Sequence, residues 1–187
     1  RAADDIADNE TLSVEEKIAR LDRFGDALSG RETHDSACET AHKMRESLVV
    51  TGVSPQHCAD LLTAFKLDVT KLRYRNWDDL IGYCTLSAVP VGRYLLDLHG
   101  GSRDDYVASD ALCLALQVIN HLQDCRDDYL NLNRVYLPQD WMDVESVSLD
   151  SLGQTHTNPQ LRAVFDRVIV ETRALLTIAT TLPAGLD

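Results

Sequence analysis

The chain has 187 residues, 44% of them apolar and 26% charged, which suits a single soluble globular domain with a substantial core. A formal net charge of −12 argues against bulk attraction to nucleic acid, and no apolar run approaches the length of a membrane span. No secretory signal pattern stands at residue 1; the five cysteines (Cys38, Cys58, Cys84, Cys113, Cys125) form no Cys-x-x-Cys pair and read as reduced thiols of a cytoplasmic protein, and the six histidines show no zinc spacing.

The chain opens Arg1-Ala2-Ala3-Asp4-Asp5-Ile6-Ala7-Asp8. On a helix, Asp4 and Asp8 share a face and repel each other by roughly a few tenths of a kcal/mol. Taken alone, such a pair is usually a solvated helix end. Ser13-Val14-Glu15-Glu16 is a capping box, so a helix follows with Ile18, Leu21 and Leu28 on one side and stops near Gly30. Helical spacing resumes from about Asp35 to Val50 and ends at Gly52. Ser54-Pro55 reads as an N-cap followed by proline in the first turn, with Leu61, Leu62, Phe65, Val69 and Leu72 as a core stripe. Asn76 starts a helix reaching about Leu98. Another is expected from Ser109 to about Leu130, and a last one from Asn158-Pro159 to about Leu182-Pro183. Residues 135–157 are the most irregular stretch. No convincing set of period-2 strands appears, and there is no internal repeat. The pattern predicts an all-α domain whose longest helices form a bundle.

The helix expected from Ser109 carries a second acidic cluster. Gln117, Asn120, Asp124 and then Asp127 or Asp128 follow steps of three and four, beside Leu114, Leu116, Val118 and Ile119. Amides near the middle of an otherwise apolar helix need partners, which points to a site rather than open solvent. Two acidic clusters facing each other would form a hard-oxygen cage suited to Mg²⁺, which takes oxygen ligands together with waters or phosphates. Arg1 stands three residues before Asp4, and Arg134 follows the second cluster by six, where phosphates would need them. Lys71, Arg73 and Arg75 form a third basic group, mainly a solvated face.

A third unusual element is Tyr83-Cys84-Thr85-Leu86-Ser87-Ala88-Val89-Pro90-Val91-Gly92. Pro90 inside a helical pattern removes a hydrogen bond, clashes one turn back at a cost of about 3 kcal/mol, and should kink the helix. Ala88 and Gly92, four apart, leave one face nearly bare. That face serves either close helix packing or a slot in which an extended apolar ligand lies against the backbone.

With these residues in hand the chain resembles the squalene/phytoene synthase family of head-to-head prenyltransferases. Asp4-Asp5-Ile6-Ala7-Asp8 is similar to its first aspartate-rich motif, with Arg1 at the place of the preceding arginine. Asp124-Cys125-Arg126-Asp127-Asp128 is similar to the second motif, and Asn133-Arg134-Val135-Tyr136-Leu137-Pro138 to the segment that follows it. Gln123 stands where the family usually has arginine, and Val89-Pro90 where it usually has Ala-Gly. These forms resemble the bacterial branch that makes hydroxysqualene for hopanoid biosynthesis.

The resemblance implies an isoprenoid-synthase-type helical bundle around a central cavity, here a partial single domain, 1–187, without the family's first and last helices. It implies Mg²⁺ held by Asp4, Asp8, Asn120, Asp124 and Asp128. Arg1, Arg134 and Tyr136 would grip the diphosphate of a prenyl or presqualene diphosphate, and Gln117 and Asn120 would also contact the substrate. Tyr83 would face the carbocation, and Ala88, Val91 and Gly92 would line the apolar tunnel. The implied reaction is loss of diphosphate from presqualene diphosphate and capture by water. Two alternatives are a sister enzyme condensing two prenyl diphosphates to presqualene diphosphate or phytoene, and a non-catalytic member acting as an assembly factor. Peripheral membrane association suits so apolar a product.

Overall fold

The computed structural model describes residues 1–182. Its first helices are α1 (Ala2–Ala7), α2 (Val14–Ser29), α3 (Glu39–Thr51) and α4 (Gln56–Thr70). After a short strand β1 (Arg73–Tyr74) come α5 (Trp77–Ser87), α6 (Val89–Leu98), α7 (Tyr106–Gln123) and α8 (Cys125–Leu132). Strand β2 (Val135–Pro138) leads into α9 (Gln139–Val144), and α10 (Pro159–Ala179) packs along α7. No helix among the described residues is long and apolar enough to cross a membrane.

Local chemistry sets most boundaries. Ser13 Oγ accepts from the Glu16 N–H while the Glu16 carboxylate accepts from the Ser13 N–H, the reciprocal pair expected for α2. Gly30 and Gly52 close α2 and α3 in the left-handed region, at φ 78° and 72°. Asn76 and Asn158 accept from the N–H groups of Asp79 and Leu161 at 2.9 and 2.8 Å.

Four boundaries differ from the expectation. The expected helix from Asn76 to Leu98 is two helices that break at Ala88, because Pro90, in the first turn of α6, has no N–H to offer the preceding turn. The helix expected from Ser109 starts three residues earlier: Ser102 Oγ accepts from the Asp104 N–H and nucleates a turn running straight into α7. That helix also stops at Gln123 rather than Leu130, with Asp124 forming the joint to α8; aspartate favours helix ends over interiors. Finally, β1 and β2 pair in parallel, Arg73 with Val135 and Tyr74 with Pro138. β2 is buried at all four residues, so it shows no alternation by which a strand could be seen.

The core has two parts that meet at α4. Leu62 packs with Leu21, Phe24, Ala27, Cys38 and Ala41. Ala64 belongs to the larger part, with Tyr74, Leu80, Tyr83, Val118, Tyr136, Met142 and Val164. α4, α6 and α7 are tied further by Asp97, which takes His57 Nε2 at 2.8 Å on one oxygen and the Tyr106 hydroxyl on the other.

Candidate active site

α1 presents Asp4 and Asp8 one turn apart, with the Asp8 N–H bonded to the Asp4 carbonyl at 3.0 Å. The Asp4 carboxyl is pushed above its ordinary range, first by burial and then by the charge of Asp8. At the other end of the site, the α7–α8 joint sets Asp124 and Asp128 one turn apart, the Asp128 N–H donating to the Asp124 carbonyl at 2.8 Å. Asp128 is pushed up to about 6, mainly by burial, then by Asp124, with smaller contributions from Asp8 and Asp127 and opposition from Arg134. Asp8 and Asp128 therefore feel each other across 120 residues of sequence.

Arg134 stands between them. Asn133 closes α8 in the left-handed region at φ 51°, a conformation asparagine tolerates. Arg73 donates to the Asn133 side-chain oxygen at 2.7 Å and also reaches its carbonyl, holding that turn. The turn sends Arg134 back into the protein, where it is 7% exposed. Its guanidinium donates to Asp8 Oδ1 at 2.7 Å and, through Nε, to the Asp68 carbonyl at 3.0 Å. A buried guanidinium that reaches a half-exposed carboxylate is a preset anion-binding donor.

Two functional candidates were missed by sequence reasoning. Asp68, near the end of α4, is 8% exposed and accepts the Tyr83 hydroxyl at 2.7 Å and the Tyr136 hydroxyl at 3.1 Å. Burial pushes its carboxyl up to about 6 against the pull of Tyr83, Arg134 and Tyr136. Its signal was present: a carboxylate three residues after Phe65 in the α4 core stripe. His121 lies one turn after Gln117, whose amide nitrogen is 3.2 Å from His121 Nε2. Its ring stacks on Tyr136 at 3.7 Å and 10°, and burial pushes it down to about 3.

The remaining expected residues fall as follows. Tyr83 is buried, its hydroxyl held by Asp68 and its ring beside Tyr74, Tyr136 and His121, so it supports the site from within. Asn120 is exposed on α7, one turn before Asp124. Arg1 is exposed, with Nε 3.8 Å from Asp5, and its charge also reaches Asp4. Gly92 faces α7: a Cβ there would lie 2.6 Å from both Ser109 Oγ and Cys113 Sγ, so close helix packing accounts for the glycine. Ala88 is buried at the helix break, and Val91 is exposed with Leu95 on the outer side of α6. Lys71 and Arg75 are committed to Asp79, which receives Lys71 Nζ and the Arg75 N–H at 2.7 and 3.0 Å.

Hollows of about 500 and 530 Å³ lie among α1–α4, lined by Ile6, Phe24 and Cys38 in one case and by Leu28, Leu48 and Leu62 in the other. Among the described residues no three carboxylate, imidazole or thiol groups converge tightly enough to hold one ion. The carboxylates come in two pairs, each one turn apart; Arg134 bonds Asp8 of one and acts by charge on Asp128 of the other. Mg²⁺ usually takes one or two carboxylates and completes its shell with water and phosphate, so either pair has the donor chemistry to hold such an ion.

The squalene/phytoene synthase family model matches residues 1–187. The hydroxysqualene synthase of Rhodopseudomonas palustris is 48% identical over 94% of this chain and 59% of its own length. That of Zymomonas mobilis is 40% identical over 100% of this chain and 62% of its own. The chain thus spans about three-fifths of the curated relatives it matches. The crystal structure of squalene synthase HpnC from Alicyclobacillus acidocaldarius superposes with a TM-score of 0.81 at 28% identity, over 98% of this chain and 68% of that one. A match over every residue, on a fold that brings both aspartate pairs to Arg134, means that the chain belongs to the squalene/phytoene synthase family.

Proposed function

We propose that the protein is a Mg²⁺-dependent isoprenoid synthase that acts on presqualene diphosphate, releases diphosphate and adds water to give hydroxysqualene, a step of hopanoid biosynthesis. The observation that carries the reading is the convergence of Asp8 and Asp128 on the buried Arg134. The identity of 40–48% to proteins named hydroxysqualene synthase supports the choice of substrate.

Ionisation breaks the carbon–oxygen bond of the diphosphate ester, and the electron pair leaves with the diphosphate. Catalysis of that step is stabilisation of the departing anion. Arg134 donates to it, held in direction by the Asp68 carbonyl. Asp68 in turn fixes the hydroxyls of Tyr83 and Tyr136, so the floor of the site is ordered before substrate arrives. Mg²⁺, held by Asp4 and Asp8 on one side and Asp124 and Asp128 on the other with Asn120 beside them, would supply the remaining positive charge. Gln117 lies one to two turns further along α7, towards the hydrocarbon end.

The test is incubation of the protein with presqualene diphosphate and Mg²⁺, with release of diphosphate and formation of hydroxysqualene as the expected result, both lost with chelator. Turnover of farnesyl diphosphate to presqualene diphosphate would identify it instead as a condensing enzyme. No diphosphate release from any prenyl diphosphate would leave a non-catalytic role.

A further inference from the structure

We propose that Gln117 and His121 together hold the water molecule that captures the carbocation, and so make the product an alcohol rather than a hydrocarbon. The proposal rests on the isoprenoid-synthase reading above and concerns the fate of the cation, not its formation.

Four observations point to this pair. Gln117, His121, Asp124 and Asp128 follow steps of four, three and four, and α7 and α8 carry them along one side, so the pair lies deeper on the same face as the second acidic motif. His121 is only partly buried, so its ring is not sealed within the core. Its ring is held flat against Tyr136 at 3.7 Å, and Tyr136 is anchored on Asp68. The pair is also chemically odd for its surroundings. Tyr83, Val118 and Leu122 pack here, and an apolar side chain would fill the place of an imidazole without the desolvation cost. Among the described residues no carboxylate bonds the ring, and its hydrogen-bonding partner is the Gln117 amide, at 3.2 Å. An amide and an imidazole meeting edge to edge offer a donor and an acceptor to one water, while the rest of the ring is wrapped in aromatic surface that also suits a cation.

The chemistry balances within the site. The water oxygen gives a lone pair to the electron-deficient carbon and the C–O bond forms. One O–H bond breaks, its electron pair stays on oxygen, and the proton passes to the departing diphosphate. Without a held water, the same diphosphate removes a proton from a carbon next to the cation, and a hydrocarbon with one more double bond results.

The experiment uses the protein, presqualene diphosphate and Mg²⁺ in water labelled with ¹⁸O, and measures labelled alcohol as a share of diphosphate released. This ratio is independent of how fast the cation forms. Wild-type protein is expected to give one labelled alcohol per diphosphate. His121→Phe keeps the stack on Tyr136 and removes the nitrogens; its alcohol share is expected to fall at least tenfold, with hydrocarbon in its place. His121→Gln, which returns a polar atom, should recover part of the share, and Gln117→Leu should lower it. If His121→Phe does not fold, as read by circular dichroism, Gln117→Leu decides alone. An unchanged alcohol share in the folded variants overturns the proposal, as does a fall in alcohol that merely tracks a fall in diphosphate release. Wild-type protein that releases no diphosphate, or releases it without alcohol, overturns the functional reading instead, and this proposal with it.

Discussion

A carboxyl group that is partly buried, and has carboxylates for neighbours, holds its proton more tightly in the folded protein than in the unfolded chain. Asp128 is such a group, raised from an ordinary 3.8 to about 6. The sign follows directly. Below about pH 4 the group is protonated in both states and costs nothing. As pH rises through 6 the folded state must carry a charge it disfavours, so stability is lost on the alkaline side. Asp128→Asn should therefore stabilise the metal-free protein at pH 7.5 by about 1 kcal/mol, the full shift being discounted because the group is partly open to solvent. The gain should vanish below about pH 4. Urea melts at the two pH values check this, and equal gains at both would show that charge is not the cause. The same change should slow diphosphate release about a hundredfold, or about 3 kcal/mol, because the leaving group loses one of its supports. A solvated-face aspartate would leave turnover unchanged.

At the scale of elements, the break between α5 and α6 and the contact of α6 with α7 position the α7 stripe. Gly92 permits that contact. Replacing a helical glycine by alanine normally gains about 1 kcal/mol of helix propensity. Here the new Cβ would meet Ser109 Oγ and Cys113 Sγ at 2.6 Å, and overpacking of this kind costs about 1–3 kcal/mol. The clash wins, so Gly92→Ala should be destabilising by about 1 kcal/mol in a denaturant melt. Cys113→Ala in the same chain should restore part of the loss; a Gly92→Ala protein as stable as wild type would mean that α6 sits further from α7 than the structure shows. The helix ends were legible beforehand because Ser13, Asn76 and Asn158 act on their own next turn. The bare face of Ala88 and Gly92 left packing and ligand binding equally open, since a stripe of small residues says that something comes close and not what. The β1–β2 pair was not legible at all: its partners are some sixty residues apart, and a strand buried on both faces has no alternation.

At the scale of the whole molecule, two cores share α4, and the residues that close the site come from both ends of the chain. Asp8 belongs to the first helix, Arg134 to the turn after α8, and Asp68 to the shared helix between them. The acidic motifs could be read from local spacing, whereas Asp68 left only the hint of a carboxylate beside the α4 core stripe and His121 left none. A single buried carboxylate or imidazole is defined by what surrounds it, and Tyr83, Tyr136 and Arg134 reach them only in the folded chain. The protein carries a net charge of −12, and Arg134 bonds Asp8 of one aspartate pair while its charge reaches Asp128 of the other. On the function proposed above, neither Mg²⁺ nor an anion alone would balance that arrangement: an ion would meet two carboxylates at a time, and an anion would meet all four. Each would offset the other's charge, so their binding should be cooperative. A ligand that binds only the folded state adds about 2.7 kcal/mol of stability at a hundred times its dissociation constant. For a chain of this size that corresponds to a rise in Tm of about 5–10 °C. Mg²⁺ with inorganic diphosphate, both at saturating concentration, should therefore raise the Tm by that amount, while either one alone should move it by less than about 2 °C. Asp8→Asn and Asp124→Asn, one from each pair, should each abolish most of the joint shift. Equal shifts from Mg²⁺ alone and from the mixture would mean that one pair holds the ion by itself, and the two halves of the site would then not be joined through the anion.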